Sequence, residues 1–101
     1  MGKPLYERDF VRWTAEQTRA LHQAAHAGSN LPLDWDNLAE EIESLGRAQR
    51  HQLASRIGTI LEHLLKLQAS AAAAPRQGSE ATIIRERGRI RRLLRDSPSL
   101  Q

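Results

Sequence analysis

The sequence predicts an all-α fold, a small bundle of three or four helices, and two observations carry that reading. Leu38, Ile42, Leu45, Leu53, Ile57, Ile60, Leu64 and Leu67 recur at three-to-four spacing. That rhythm, held for about thirty residues, has the period of a helix and not of a strand. The chain is 40% hydrophobic but only 4% aromatic, so its core must be built from Leu, Ile and Ala. Such residues suit helix-on-helix packing better than the β-branched and aromatic surfaces of a sheet.

Taken in order, the first helix is expected over 6–27. Tyr6, Phe10, Trp13, Gln17, Leu21 and Ala24 fall along one stripe at 3.6 residues per turn. Gly28-Ser29-Asn30 closes it, because glycine tolerates the left-handed conformation that ends a helix. Leu31-Pro32-Leu33 follows as an extended linker, since the residue before a proline is pushed out of the helical region. Asp34 or Asp36 then supplies an N-cap, and Glu40, Glu41 and Glu43 sit early, where negative charge favours the positive end of the helix dipole.

The next helices are expected over 35–45 and 47–70. Gly46 costs about 1 kcal/mol relative to alanine in a helix interior, yet the apolar phase runs through it. The two segments are therefore either one long helix bent at Gly46 or two helices joined by almost no loop. Residues 71–79, Ala-Ala-Ala-Ala-Pro-Arg-Gln-Gly-Ser, read as the one linker, stopped by Pro75 and Gly78. Ser79 caps a last helix over 79–95, and Asp96-Ser97-Pro98-Ser99 follows.

At 101 residues the chain is expected to form a single helical domain, 1–101, with a thin margin of stability. It has no cysteine, which excludes a disulfide staple, a thiolate nucleophile and a cysteine-based zinc site. Oligomerisation and a non-cysteine metal site are the small-protein staples that remain. No apolar run approaches the length of a membrane span, and no hydrophobic segment follows a basic start. A cytoplasmic protein with no membrane association is expected.

The net charge of +3 is unevenly placed: residues 1–50 carry six basic and eight acidic side chains, and 51–101 carry nine and four. Arg85, Arg89, Arg92 and Arg95 gather on the outer side of the last helix, a ridge suited to tracking phosphates. Little aromatic interleaving accompanies it for stacking on single strands. Arg87 instead lands in the apolar stripe of Ile83, Ile90 and Leu94, and a buried ion pair with Glu41 is expected there.

Gln49, Arg56 and His63 stand one heptad apart along the stripe of the long helical segment. Polar groups on such a seam must find partners or cost on the order of 1–3 kcal/mol each. They read either as a satisfied polar ladder that sets helix register, or as a pocket with Glu41, Arg56 and His63 as weak catalytic candidates. His22 and His26 have a spacing that can bind metal from one helix face. Two histidines on a solvated face do not make a zinc site, which normally takes at least three protein ligands. Adjacent carboxylates at Glu40, Glu41 and Glu43 splay by about 100° per residue and cannot all reach one ion. No metal and no cofactor is assigned.

The segment Asp34-Trp35-Asp36-Asn37-Leu38-Ala39-Glu40-Glu41-Ile42-Glu43-Ser44-Leu45-Gly46-Arg47 resembles the hallmark block of domain-of-unknown-function family 29, a family of bacterial proteins. Tyr6-Glu7-Arg8-Asp9-Phe10-Val11-Arg12-Trp13-Thr14 is similar to that family's start, and His63-Leu64-Leu65-Lys66 to its middle. Ala81-Thr82-Ile83 and Asp96-Ser97-Pro98-Ser99-Leu100 are similar to its later part. The resemblance implies an all-helical fold and supplies no established activity. Its matching positions Trp35, Asn37, Glu40, Glu41, Glu43, Gly46, His63 and Lys66 are candidates for a shared site. The resemblance also implies a further helical segment after the Ser-Pro-Ser-Leu block, whereas this sequence stops at Gln101, so that either it is truncated or it is a short member whose cover a partner chain supplies. It implies aromatic residues in the linker too, which 71–79 does not hold.

Together these readings lead to a non-enzymatic protein–protein interaction module, with a protein partner or a homodimer. A nucleic-acid-binding protein using the Arg-rich last helix is the alternative. A hydrolase or metal-dependent enzyme around Glu41, Arg56 and His63 is the second alternative.

Overall fold

Asp9 divides the helix expected over 6–27 into two. The computed structural model describes residues 2–69 and 73–101, and in it α1 spans Leu5–Arg8 and α2 spans Phe10–His26. Between them Asp9 takes extended backbone angles (φ −158°, ψ 92°), and its side chain accepts a hydrogen bond from the Arg12 N–H at 3.1 Å. A carboxylate in that position satisfies a first-turn amide that the helix itself cannot, and so starts α2 afresh. The aromatic stripe survives the break: the Tyr6 ring stands edge-on to Phe10 and Trp13, with centroids 5.6 and 4.8 Å away. Gly28, at φ +73°, follows the end of α2 in the left-handed region.

One continuous helix, α3, spans Trp35–Ala69. At 1.5 Å per residue it is about 52 Å long. Asp34 is its cap, accepting the Asn37 N–H at 3.3 Å and the Asn37 side-chain amide at 2.6 Å. Of the two readings at Gly46, the unbroken helix stands. Gly46 is buried where α2 crosses α3, and a Cβ built on it would collide with Thr14 Oγ1. The glycine sets how closely two helices approach; it does not break one.

The last helix, α4, spans Ala73–Asp96 and begins inside the expected linker, of which residues 70–72 lie outside the described residues. Pro75 falls in its first turn, where a missing N–H has no intrahelical partner to lose. Ser79 therefore does not cap the helix: it is buried on the side facing α3. A 3-10 turn over Pro98–Leu100 follows.

α2 runs antiparallel to the N-terminal half of α3, with Thr14 over Gly46 and Phe10 beside Gln49. α4 runs antiparallel to the C-terminal half, with Ser79 against His63 and Glu86 against Arg56. The long helix is thus a spine with a different helix along each half. Among the described residues the buried hydrophobic side chains are only Val11, Ala39 and Leu93. The molecule measures 66 × 32 × 17 Å with a radius of gyration of 19.4 Å, against about 13 Å for a compact domain of 100 residues. Such a slab leaves much of the apolar surface of α3 in solvent: Leu38, Leu45, Ile57 and Leu64 of its rhythm, and Leu61 and Leu65 beside them.

Candidate functional site

The seam between α3 and α4 is a polar ladder in register. On α3 the positions Gln49, Arg56 and His63 step by seven; on α4 the buried positions Ser79, Glu86 and Leu93 step by seven in the opposite direction. His63 Nδ1 lies 3.1 Å from Ser79 Oγ, and Arg56 donates to Glu86 at 2.8 Å. Gln49 and Leu93 line one groove at the end of the ladder. Two antiparallel helices with heptad-spaced contacts keep the same faces together along their length, so polar pairs there specify both register and orientation.

Glu86 is the electrostatic centre of this seam. Its side chain is nearly buried, and it faces Arg56 at 2.8 Å, Arg89 at 3.4 Å and Arg85 at 3.8 Å. The hydrogen bond from Arg56 holds its carboxyl below the ordinary glutamate range; burial opposes that shift, and the charges of Arg56, Arg89 and Arg85 reinforce it. A carboxylate kept ionised by three guanidinium groups is a poor proton acceptor and a good anchor. Arg56 Nε is buried with no hydrogen-bond partner among the described residues, so the guanidinium is held chiefly by Glu86.

The His63–Ser79 contact has the distance of a base and a nucleophile. Ser79 is buried, however, and the described grooves open on neither residue. Among the described residues no carboxylate is hydrogen-bonded to His63 to orient its ring. Two grooves meet instead at Gln49 and Asp96. One, of about 350 Å³, is lined by Tyr6, Glu7 and Phe10; the other, of about 490 Å³, adds Gln52, Arg56, Arg89 and Arg92. Glu7 and Asp96 offset much of the positive charge along the combined groove.

Near the junction of the three helices, the two ends of the chain are clasped together. Asp9, besides capping α2, accepts the Ser99 N–H and the Ser99 hydroxyl, each at 2.8 Å. Ser97, fully buried, accepts the Val11 N–H at 3.1 Å. First-turn donors of α2 are therefore satisfied partly by a residue 86 positions away.

The family model for the domain of unknown function DUF29 matches residues 5–101. The chain belongs to that family. No curated protein and no solved structure matches it. In this DUF29 chain the early Tyr6–Thr14 block and the late Asp96–Leu100 block, far apart in sequence, meet through Asp9, Ser97 and Ser99. Gly46, from the Asp-Trp-Asp block, receives Thr14 from the early one. His63 meets Ser79 across the seam. These motif residues of the DUF29 chain thus touch one another, and Tyr6, Glu7, Phe10 and Asp96 of the same blocks line the groove beside them.

The expected pair of Glu41 with Arg87 is not formed: both side chains are exposed, and Arg56 with Glu86 makes the buried pair. The reasons are register and azimuth: α4 sets Glu86 opposite Arg56, about 22 Å along α3 from Glu41. A one-residue offset turns a side chain by about 100°, and on α4 it is Glu86, with Ser79 and Leu93, that faces the spine. Glu41, Arg56 and His63 do not converge. They project from one helix, with Glu41 about 22 Å along the axis from Arg56 and His63 about 10 Å in the other direction.

On the outer ridge Arg85 and Arg89 lie within reach of Glu86, while Arg92 and Arg95 are exposed without an ion pair among the described residues. Glu40 and Glu43 both pair with Arg47, at 3.0 and 3.2 Å, on the exposed face of α3. His22 and His26 are exposed, and among the described residues no group of three His, Asp or Glu is placed to hold a metal ion. No described helix is long and apolar enough to cross a membrane.

Sequence reasoning missed Glu86 and Asp9. The signal for Glu86 was present: Ser79, Glu86 and Leu93 mirror the heptad of Gln49, Arg56 and His63. The signal for Asp9 was a good N-cap residue inside an otherwise periodic helix.

Proposed function

We propose that this DUF29 chain is a non-enzymatic helical interaction module whose working surface is the apolar face of α3. One observation carries the reading: the spine keeps its apolar rhythm where neither α2 nor α4 covers it. Leu38 and Leu45 continue the α4-facing stripe beyond the end of α4. Ile57, Leu61 and Leu64 continue the α2-facing side beyond the start of α2. Contiguous uncharged patches of this kind mark interaction sites, whereas the polar groups of the seam already satisfy one another.

A photo-activated cross-linking residue placed at Leu61 in the living cell tests this. A protein adduct is expected at Leu61 and none at Ile84, which is more exposed but stands alone on the far side of α4. Equal, background labelling at the two positions would contradict the reading.

A second reading, nucleic-acid binding, is favoured by Arg92, which has no ion pair among the described residues and lines the groove with Gln52, Arg56 and Arg89. Binding of duplex DNA or RNA at low salt, weakened steeply by added salt and by Arg92→Ala with Arg95→Ala, would support it. No binding at low salt would dispose of it.

A further inference from the structure

The uncovered C-terminal half of α3 has a pattern more specific than general apolarity. Ala54, Ile57, Leu61, Leu64 and Gln68 repeat as the alternating three-and-four positions of a coiled-coil seam, with Gly58 and Leu65 beside them. All are exposed: Ile57 by 43%, Leu61 by 56%, Leu64 by 45% and Leu65 by 65%. No charge falls within this stripe. Arg50 stands one turn before Ala54 on the same azimuth, and Glu62 and Lys66, on the flank, are paired with each other at 3.5 Å.

Gly58 lies within this face. An exposed glycine in a helix interior sacrifices stability relative to alanine. At Gly46 the structure shows why the glycine is there, since Thr14 occupies the space a Cβ would need. Among the described residues nothing lies within 4 Å of such a Cβ at Gly58, nor at Gly78 or Gly88 on α4. What sets Gly58 apart is its place among Ile57, Leu61 and Leu64, where a helix crossing the apolar face could approach as closely as α2 does at Gly46.

We propose that this face is the contact between two copies of the chain, their α3 helices crossing antiparallel about a two-fold axis at Leu61. The proposal rests on the interaction-module reading and names its partner. The stripe is self-complementary in that register, as a two-fold interface requires. Leu61 meets its own copy, Ile57 meets the partner's Leu65, and Gly58 leaves room for the partner's Leu64. Small against large at facing positions is how helices interdigitate.

The area argues for the same occupant. The four large side chains expose a few hundred Å² on each copy, a substantial part of the roughly 800 Å² per partner of a standard interface. Their flanks and the neighbouring turns of α3 can supply the remainder. A second copy also adds the missing helical layer to a slab only 17 Å thick.

Sedimentation equilibrium on the full chain tests the proposal, alongside Leu61→Glu, Gly58→Leu and the control Ile84→Glu, with helix content of each checked by circular dichroism. A dimer is expected for the wild-type chain and for Ile84→Glu. Leu61→Glu and Gly58→Leu should each weaken it on the order of tenfold or more. Gly58→Leu is the sharper variant, because it adds apolar surface and helix propensity while filling the space the partner needs. A dimer untouched by either variant would place the contact elsewhere and overturn the proposal. A monomer at every soluble concentration would overturn it too. If the cross-linker at Leu61 then captures a different protein, the module reading survives without the second copy; if it captures nothing, both fall.

Discussion

Replacing Gly46 by alanine sets two opposing effects against each other, and the structure decides between them. In a helix interior open to solvent, glycine to alanine gains about 1 kcal/mol. At Gly46 the new methyl would meet Thr14 Oγ1 inside contact distance and Thr14 Cβ at 3.5 Å. Thr14 has little freedom to yield, because it is buried and its hydroxyl donates to the Val11 carbonyl at 2.6 Å. Overpacking of this kind costs about 1–3 kcal/mol, and turning the hydroxyl away would lose a hydrogen bond worth about 1 kcal/mol. A net loss of about 1–2 kcal/mol is expected, or roughly 4–16 °C in Tm for a chain of this size.

Urea unfolding followed by circular dichroism, at fixed chain concentration, reads the change directly. In a Thr14→Ala background the same replacement should become neutral or stabilising, giving a coupling of about 2 kcal/mol between the two positions. Gly88→Ala is the control: Gly88 is exposed with open space around a Cβ, and the change there should stabilise. If Gly46→Ala stabilises as much as Gly88→Ala, the close crossing of α2 over α3 is refuted.

Three further outcomes follow from the same geometry. Asp9→Ala removes the cap of α2 and both bonds to Ser99, so a loss of about 2–4 kcal/mol is expected. Hydrogen exchange should show the Ser99 amide unprotected, and retained protection would contradict the clasp. Because Glu86 binds its proton more weakly in the folded chain than in the unfolded one, its contribution is complete above the ordinary glutamate value of 4.5 and is lost as pH falls through the lower folded value. Glu86→Gln should flatten acid unfolding in that window, and an unchanged slope would count against the Arg56 pairing. Ser79→Ala, which removes the partner of His63 Nδ1, should cost about 1 kcal/mol; no loss would show that this rung does not stabilise the seam.

The helical class was legible because it rests on period alone, and the period of α3 is unambiguous. Gly46 was not fully legible: propensity marks every helical glycine as a weak point, and only the approach of Thr14 distinguishes a crossing from a hinge. The early start of α4 was hidden for a related reason. Pro75 reads as a breaker unless it is known to lie in a first turn, where the bond it lacks does not exist.

At the seam, the polar heptad of α3 was visible, but its partners depended on the azimuth of α4. Taking Arg87 for the inward residue missed the facing position of α4 by about 100°, and the register that sets Glu86 opposite Arg56, far from Glu41, is written in no local pattern. The Asp9 clasp was out of reach for a different reason. Asp9 and Ser99 stand 90 residues apart, and no local pattern connects a cap at one end of a chain to a turn at the other.

The absence of cysteine makes the central claim directly measurable. If two α3 helices cross antiparallel with Leu61 on the two-fold axis, a single Leu61→Cys replacement places two thiols across that axis. Mild oxidation should then join two chains rapidly and nearly completely, while Ile84→Cys and Leu31→Cys, exposed elsewhere on the chain, should remain monomeric on the same timescale. Equal and slow linkage at all three positions would mean that only random collision brings the chains together, and the α3 interface would be contradicted.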